Sequence, residues 1–359
     1  MVRDEAAVLG ACLRSVRDVV DEIVVVDTGS VDDSIAIATS MGAVVGHHAW
    51  RDDFAAARNI GLDLASGEWI LYIDADERLA PVARADVEAL LTNAPEVAFR
   101  LLLRPTADAT PYREYRLWRS DPRIRFAGVI HEKVVPSIHA VADADGRPIG
   151  VCDLLLEHVG YEGDQTRKHE RNLPLLRAQL AHEPDNIFNW HHLARVLTGL
   201  GSAAEAEDAL AHGVDLARSK PFIDPLGVLV FSDLISLRYQ RGEDVTELLT
   251  DALTRYPDNW ILVWLEARVL SDHERHGEAL ARFDQLAAVD TARLADVDGG
   301  PSYDARLFGD LAHAGRALCL FRLGRYAEAA DAYGEAARFA PDDPTYRTKR
   351  HLALSRARR

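Results

Sequence analysis

An alternation of helical and strand patterns over about the first 160 residues constrains the fold of this chain more than any other feature. A β-branched run, EIVVVD, follows an amphipathic helical pattern and ends at Asp27, and a later apolar run, EWILYID, ends at Asp74. Helical patterns separate the strand patterns, which predicts an α/β domain with a mainly parallel sheet. Asp27 and Asp74 then lie at the carboxyl ends of strands, where open parallel sheets bind ligands.

From about residue 165 the pattern changes to Ala- and Leu-rich helices with recurring punctuation. Glycines recur in similar phrases, such as GLGSAAEAEDAL and RLGRYAEAADAY, at spacings of 41, 35 and 47 residues, namely at Gly201, Gly242, Gly277 and Gly324. Pro-Asp-Asn or Pro-Asp-Asp phrases recur at Pro184, Pro257 and Pro341. We predict four helical pairs over about residues 186–345, resembling tetratricopeptide repeats, with a glycine in each turn.

Composition argues against several classes of protein. The net charge of −16 argues against a nucleic-acid partner, because such binding depends on Lys and Arg neutralising phosphates. No apolar run reaches the roughly 18 residues of a transmembrane helix, so we expect a cytoplasmic protein. The three cysteines, Cys12, Cys152 and Cys319, are far apart and odd in number, which supports neither a disulfide framework nor a cysteine-based zinc site.

Three carboxylates, Asp74, Asp76 and Glu77, directly follow the EWILYI run in the stretch IDADERL. An Asp-x-Asp pair at a strand end can direct both side chains toward one divalent cation, since Mg²⁺ and Mn²⁺ prefer oxygen ligands. Such a cation can neutralise a diphosphate leaving group. Without further context, a solvated turn with a helix cap at Asp76 is the better explanation of the pair.

Three blocks provide that context: VRDEA, EIVVVDTGSVDDS and AWRDDFAAARNIGLDLASGEWILYIDADERL. In order and spacing they resemble the family 2 inverting glycosyltransferases, in the branch with C-terminal tetratricopeptide-like repeats that includes peptide S-glycosyltransferases. The resemblance implies an α/β GT-A (Rossmann-like) nucleotide-sugar domain followed by an all-α helical repeat domain. We predict the GT-A domain over 1–162, a linker helix over 163–185 and the repeat domain over 186–359.

The resemblance also implies a donor site. Asp27 would contact the nucleotide base, and Glu5 would lie against the nucleoside. Arg58 and Asn59 would face the uridine and the phosphates. The predicted nucleotide-sugar contacts are Glu5, Asp27, Thr28, Arg58, Asn59 and Asp74. The residue types suit these roles, because Gly29 after Thr28 permits close backbone approach and an arginine can give forked hydrogen bonds to phosphate.

The metal set implied by the resemblance is Asp74, Asp76 and His158, with Mn²⁺ or Mg²⁺ as the cofactor. His158 follows another apolar strand in LLLEHVGY, and enzymes of this fold often add a late histidine to the metal site. A single histidine is as readily structural, so this assignment stays open. Within the metal motif, Asp74 is expected nearer the nucleoside and Asp76 on the metal.

The block FAGVIHE resembles the acceptor side of the same branch and contains the catalytic candidate. An inverting transfer needs a general base, and Glu132 is our choice. A His131–Glu132 pair that braces the loop is an equal alternative, and Asp53 or Glu77 could serve as the base instead. The common Gln-x-x-Arg-Trp acceptor motif does not occur, which argues against a processive polysaccharide acceptor.

Two further features concern the edges of the donor site. A basic cluster in RKHERN, Lys168 and Arg171 with Asn172, could contact the diphosphate or form a solvated helix face. GT-A domains open with a strand before the VRDEA segment, whereas this chain begins at Met1 and has almost none of it. Either the native start lies upstream, or the sheet lacks a central strand and the nucleotide pocket lacks one wall; we expect a misassigned or shortened start, because the later blocks are intact.

The leading interpretation is a metal-dependent inverting glycosyltransferase that uses a nucleotide sugar, UDP-linked by expectation. Its acceptor would be a peptide, protein or natural product held partly by the repeats, through sulfur, oxygen or nitrogen, and a homodimer through the helical domain is a further expectation. A haloacid-dehalogenase-type phosphatase fits poorly, because Arg78 stands where that motif expects Thr or Val. A repeat-based adaptor with an inactive glycosyltransferase-like domain is the remaining alternative.

Overall fold

The computed structural model describes residues 1–159, 165–297 and 301–358 of the 359-residue chain. The chain divides into two compact units: a sheet unit, Met1–Gln179 with Ala295–Ser302, and a helical unit, Leu180–Leu294 with Tyr303–Arg359. The predicted boundary at residues 162 and 163 lies outside the described residues. The three predicted segments therefore remain predictions.

The sheet unit begins with the predicted alternation of helices and strands. Its helices are α1 (Ala6–Val16), α2 (Ser34–Ser40), α3 (Phe54–Leu64), α4 (Arg84–Leu91), α5 (Val135–Asp145) and α6 (Thr166–His182), of which the last runs into the helical unit. Its strands are β1 (Val24–Asp27), β2 (Val44–His47), β3 (Trp69–Leu71), β4 (Glu77–Leu79), β5 (Ala98–Arg104), β6 (Tyr112–Arg119) and β7 (Ile149–His158). The strand patterns ending at Asp27 and near Asp74 are thus confirmed as β1 and β3, although β3 stops three residues before Asp74.

The strands form two sheets, and the expectation of a mainly parallel sheet is wrong. β1 and β2 pair in parallel as one sheet, while the other has the order β3-β6-β5-β7-β4. In this larger sheet only β5 and β7 are parallel. The short connection between β5 and β6 allows a hairpin but no crossover helix, which makes these neighbours antiparallel.

A cleft of about 770 Å³ lies between β1 and β3. Its apolar walls include Val24 and Val26 on one side and Ile70 and Leu71 on the other. β1 and β3 belong to different sheets among the described residues, so no ladder of strand hydrogen bonds crosses this cleft. Val2 forms a parallel bridge with β1: its N–H donates to the carbonyl of Val26 (2.8 Å), and its carbonyl accepts from the N–H of Thr28 (3.0 Å).

Apolar layers on both faces of the larger sheet hold the unit together. Phe99, Leu101 and Leu117 belong to a cluster on one face, and Trp118 with Ile138 of α5 belongs to a cluster on the other. Full burial of such side chains contributes about 1.5–3 kcal/mol each relative to exposure. This packing fixes the strand ends that carry the candidate site.

The helical unit consists of antiparallel helix pairs. Its helices are α7 (Ile187–Gly199), α8 (Ala203–Ser219), α9 (Gly227–Gln240), α10 (Thr246–Arg255), α11 (Trp260–Asp272), α12 (His276–Ala287), α13 (Asp310–Arg322), α14 (Tyr326–Phe339) and α15 (Pro344–Ala357). The four predicted pairs correspond to α7/α8, α9/α10, α11/α12 and α13/α14. After each predicted proline the next helix is capped by a side chain, from Asn186, Asn259 and Asp343.

The turn glycines agree with the prediction at three of the four sites. Gly201, Gly242 and Gly324 have positive φ angles of 78°, 74° and 77°, a conformation that favours glycine. Gly277 instead lies in the first turn of α12, and Glu274 takes the left-handed position with φ 59°. The sequence alignment on Gly277 is therefore wrong by three residues.

No helix in the described parts of the chain combines the length and apolar character needed to cross a membrane.

Candidate functional site

The three strand-end carboxylates occupy the link from β3 to β4. Asp74 and Asp76 lie in the link itself, and Glu77 is the first residue of β4. The link stays beside the sheet, because the N–H of Tyr72 donates to the carbonyl of Arg116 on β6 (2.8 Å). On its other side, Glu77 lies opposite His158 of β7. The sheet therefore brings β6 and β7 side chains to these carboxylates.

Asp74 is held by two arginines and a tyrosine. Its Oδ1 accepts from Arg58 Nη1 (3.1 Å) and from the Tyr72 hydroxyl (2.9 Å), and its Oδ2 accepts from Arg116 Nη1 (3.3 Å). Burial alone would raise the pKa of this carboxyl, but the two guanidinium groups hold it well below the usual range. Asp74 is therefore a carboxylate whose charge is balanced by the protein.

Glu77, the third carboxylate after the strand, supports the backbone and the charge of the motif. Its Oε2 accepts the backbone N–H of Asp74 (2.8 Å), and its Oε1 accepts from Arg116 Nη2 (2.8 Å). Its side chain is only 2% exposed. Burial raises the pKa of Glu77, and Arg116 offsets part of that rise. Glu77 is consequently enclosed beneath the site, a position that suits support better than the alternative role of general base.

Asp76 and His158 form a separate pair. Asp76 Oδ2 lies 3.0 Å from His158 Nε2, and their side chains are 31% and 13% exposed. The N–H of Val159 donates to the carbonyl of Asp76 (2.8 Å), which fastens the end of β7 to the motif. Burial would raise the pKa of Asp76, but the hydrogen bond and charge of His158 lower it.

The predicted metal set is brought together only in part. Asp76 and His158 converge on one point, whereas both oxygens of Asp74 contact cationic side chains. Among the described residues, no group of three His, Cys, Asp or Glu side chains is arranged to hold an ion. A carboxylate oxygen and an imidazole nitrogen side by side fit a partial cation site, so Asp76 and His158 retain the metal role as a prediction.

Arg58 connects the metal motif to the acceptor-side block. It lies on α3, whose first turn is capped by Asp53, since that side chain accepts from the N–H of Ala56 (2.9 Å). This helix cap gives Asp53 a structural role, which makes it a weaker candidate for the general base. Arg58 contacts Asp74 and also forms a close contact through Nε with Glu132 Oε1. Burial opposes its charge, but Tyr72 and the carboxylates raise its pKa.

Glu132 lies in a short hairpin closed by a bridge between Ala127 and Lys133. Gly128 and His131 in this hairpin have positive φ angles of 105° and 53°. The side chain of Glu132 is 9% exposed and contacts Arg58. The structure thus pairs Glu132 with Arg58. If Glu132 stabilises the loop instead of acting as a base, it does so through Arg58.

Asn59, next to Arg58, has its side chain engaged with the backbone of Phe126. Its amide nitrogen donates to the carbonyl of Phe126, and its Oδ1 accepts the N–H of the same residue, both at 2.9 Å. The predicted contact with uridine or phosphate would require Asn59 to give up these bonds. Here Asn59 positions the loop that leads to Glu132.

Asp27 lies at the end of β1, and its side chain accepts hydrogen bonds from the backbone of the turn that follows. Its Oδ2 accepts from the N–H of Gly29 (3.0 Å) and its Oδ1 from that of Ser30 (3.1 Å). Burial would raise the pKa of Asp27, but these hydrogen bonds lower it. The Thr28 hydroxyl donates to the carbonyl of Val2 (3.1 Å). Asp27 and Thr28 therefore shape the loop, and contact with a base stays a prediction.

Glu5 and the basic residues of α6 face the same region. Burial raises the pKa of Glu5, and the negative charge of Asp76 raises it further. The positive charges of Lys168 and Arg171 lower the pKa of Glu5, against these two effects. The Arg171 guanidinium lies over the ring of Phe54, 5.2 Å from its centroid. Lys168 and Arg171 are both exposed, so contact with the diphosphate and a solvated helix face both stay open as predictions.

Sequence reasoning missed two residues of this site, Tyr72 and Arg116, and considered Glu77 only as an alternative general base. The guanidinium groups of Arg58 and Arg116 lie over the Tyr72 ring, 4.6 and 4.5 Å from its centroid. The available signal was an arginine inside a strand pattern, YREYRLWR, where burial of a charge requires a partner.

Comparison with known proteins identifies two segments. Residues 1–124 match the model of glycosyl transferase family 2, and residues 310–343 match a tetratricopeptide repeat. A TPR repeat-containing protein of Synechococcus elongatus is 37% identical over 230 residues, 62% of this chain and 57% of that protein. The SPbeta prophage-derived glycosyltransferase SunS of Bacillus subtilis is 27% identical over 273 residues, 72% of this chain and 62% of that protein. The chain thus spans about six tenths of the length of these curated relatives.

Two solved structures illustrate the structural matches. TarS 1-349 of S. aureus is 14% identical with a TM-score of 0.36, covering 72% of this chain and 90% of that chain. Glucosyl-3-phosphoglycerate synthase of Mycobacterium tuberculosis was solved with Mn²⁺, uridine diphosphate and glucosyl-3-phosphoglycerate. It is 17% identical with a TM-score of 0.35, and the match covers 50% of this chain and 76% of that chain.

Proposed function

We propose that this chain, which carries an N-terminal family 2 glycosyltransferase domain of GT-A fold followed by tetratricopeptide-like repeats, transfers a sugar from a nucleotide sugar with inversion. The donor is a UDP-sugar and the cofactor is a divalent cation. The observation that supports this best is the convergence of Asp76 and His158 beside an Asp74 that two arginines hold.

In the proposed mechanism Asp76 and His158 would hold the cation. When bound, a cation of this kind supplies charge neutralisation for the diphosphate leaving group. The mixed oxygen and nitrogen donors suit Mn²⁺ better than Mg²⁺, because Mg²⁺ strongly prefers oxygen. Asp74 would accept hydrogen bonds from the nucleoside, and the free edge of the Arg58 guanidinium would face the phosphates.

The acceptor side would be served by Glu132. Its Oε1 contacts Arg58, so Oε2 would take the proton from the acceptor's O–H, S–H or N–H group. A bond then forms between that heteroatom and the anomeric carbon as the carbon–phosphate oxygen bond breaks, and the nucleoside diphosphate leaves. The repeats would hold a peptide, protein or natural-product acceptor, since stacked helix pairs provide an extended concave surface.

The test is a calorimetric titration of UDP into the full chain with and without Mn²⁺. We expect saturable, Mn²⁺-dependent binding that is lost in Asp76→Ala and kept in Asp86→Ala, a control in the exposed first turn of α4. No metal-dependent binding of UDP, or of GDP tried in parallel, would overturn the proposal and favour an adaptor.

The sugar and the acceptor are tested separately. Incubation with a panel of UDP- and GDP-sugars and candidate peptides or small molecules, followed by mass spectrometry, should show a mass increase of one sugar. Transfer to peptides that continues when the helical repeats are saturated with a competing repeat-binding peptide would contradict their proposed role.

A further inference from the structure

Asp74 lies in an irregular link, so side chains rather than a strand must fix its direction. The link between β3 and β4 contains no helical or strand residues at Asp74. Glu77 accepts the backbone N–H of Asp74, and Arg116 donates to both Glu77 and the Asp74 side chain. These contacts form a closed ring around Asp74 that fixes its main chain and its carboxylate together.

Exposure separates the supporting groups from the group that can meet a ligand. The side chains of Glu77 and Arg116 are 2% and 9% exposed, whereas that of Asp74 is 31% exposed. Glu77 and Arg116 therefore cannot reach a donor directly in this arrangement. Any influence they have on donor binding passes through Asp74.

Tyr72 completes the support from the other side. Its hydroxyl donates to Asp74 Oδ1, and the guanidinium groups of Arg58 and Arg116 both lie over its ring. Each of these cations contacts a different oxygen of Asp74. The carboxylate is thus held from three directions.

We propose that Glu77 and Arg116 are positioning residues that set the orientation of Asp74 for donor binding. This inference rests on the proposed function, since it assumes that Asp74 contacts the nucleoside. The competing explanation is a buried ion pair that only links Glu77, at the start of β4, to Arg116 of β6. Such pairs can often be replaced by apolar residues of similar size with little loss of folding stability, which makes the two explanations separable.

The experiment replaces the pair by apolar residues, Arg116→Met together with Glu77→Leu, and titrates UDP with Mn²⁺ by calorimetry. Orientation effects of supporting residues on ligand binding are typically about 10- to 100-fold. We expect UDP binding weakened by that amount at unchanged stoichiometry, because every folded molecule still has a site with a misplaced Asp74. A purely structural pair would instead leave the Kd within about twofold of the wild type, and any misfolded fraction would only lower the stoichiometry.

Arg113→Met is the matched control. Arg113 lies on the same strand as Arg116, its side chain is 10% exposed, and it contacts Asp153 and Asp296 instead of Asp74. We expect this variant to bind UDP as the wild type does. An equal loss in Arg113→Met would show a general effect on β6 and overturn the inference.

A variant that folds poorly does not remove the test. Glu77→Gln keeps the size of the side chain and an acceptor for the Asp74 N–H but loses the charge that pairs with Arg116, and we expect weaker UDP binding there too. Binding within about twofold of the wild type in the folded variants would overturn the inference while leaving the proposed function intact. Absence of binding by the wild type would overturn both.

Discussion

Replacement of Glu132 by glutamine separates its two candidate roles. The contact between Glu132 Oε1 and Arg58 Nε involves two side chains that are 9% and 13% exposed. Glutamine keeps the shape and an acceptor oxygen for Arg58 but removes the charge and the capacity to accept a proton at neutral pH. A base and a brace should respond differently to this change.

The stability effect can be bounded from the contact. A hydrogen bond that involves a charged group contributes about 1.5–3 kcal/mol, and glutamine keeps such a bond to the Arg58 cation while the carboxylate charge is lost, so the substitution should cost about 1–1.5 kcal/mol, within the spread of that range. For a unit of this size each kcal/mol lowers Tm by roughly 2–4 °C. We therefore expect Tm to fall by about 2–6 °C, which leaves the protein folded at assay temperature.

The catalytic effect should be much larger if Glu132 is the base. Loss of a general base typically lowers kcat by about 10²–10⁴-fold. The assay measures release of UDP from UDP-sugars, first with water as the acceptor and then with any acceptor identified, alongside UDP affinity. We expect UDP affinity to stay unchanged, because the substitution leaves Asp74 and the Asp76–His158 pair intact.

The control is Glu88→Gln, which alters another arginine-paired glutamate, 2.7 Å from Arg84 and 60% exposed. It should leave kcat unchanged. The reasoning is refuted if Glu132→Gln keeps kcat within about fivefold of the wild type, a change of roughly 1 kcal/mol in the barrier. Glu132 would then be a brace for Arg58.

Three further predictions concern other parts of the chain. His158→Ala should weaken Mn²⁺ binding in the presence of UDP by about 10- to 100-fold with little change in Tm, and equal affinity would remove it from the metal site. Gly324→Ala should lower the free energy of unfolding by about 1–2 kcal/mol, because the φ angle of Gly324 is 77°. Gly277→Ala, in the first turn of α12, should leave that free energy unchanged or raise it by up to about 1 kcal/mol, and denaturant unfolding measures both variants. Burial and the neighbouring Asp310 raise the pKa of Tyr346 from 10.0 to about 12, so its contribution to stability is complete below pH 10 and is lost as pH rises through 12. The Tm should therefore fall more steeply between pH 9 and 12 for the wild type than for Tyr346→Phe, and parallel curves of Tm against pH would contradict this.

Local patterns determined much of this protein. The amphipathic pattern before EIVVVD predicted α1, whose buried face includes Leu9, Leu13 and Val16, and the run ending at Asp27 predicted β1. The glycine and proline punctuation predicted the helix pairs of the repeat segment, because turn and cap preferences act over a few residues. The glycosyltransferase and repeat resemblances were carried by motifs of the same kind, and both are confirmed over the matched residues.

Tertiary structure decided what depends on contacts between distant residues. The pairing of β3 with β6 made the larger sheet mostly antiparallel, which no local pattern reveals. The same pairing brought Arg116 under Asp74 and Glu77, and the hairpin after β6 brought Glu132 to Arg58. The sequence could place carboxylates at a strand end, but it could not say which would meet an arginine, a histidine or solvent. That division is set by which strands become neighbours, because a buried charge is stable only where the fold supplies its partner.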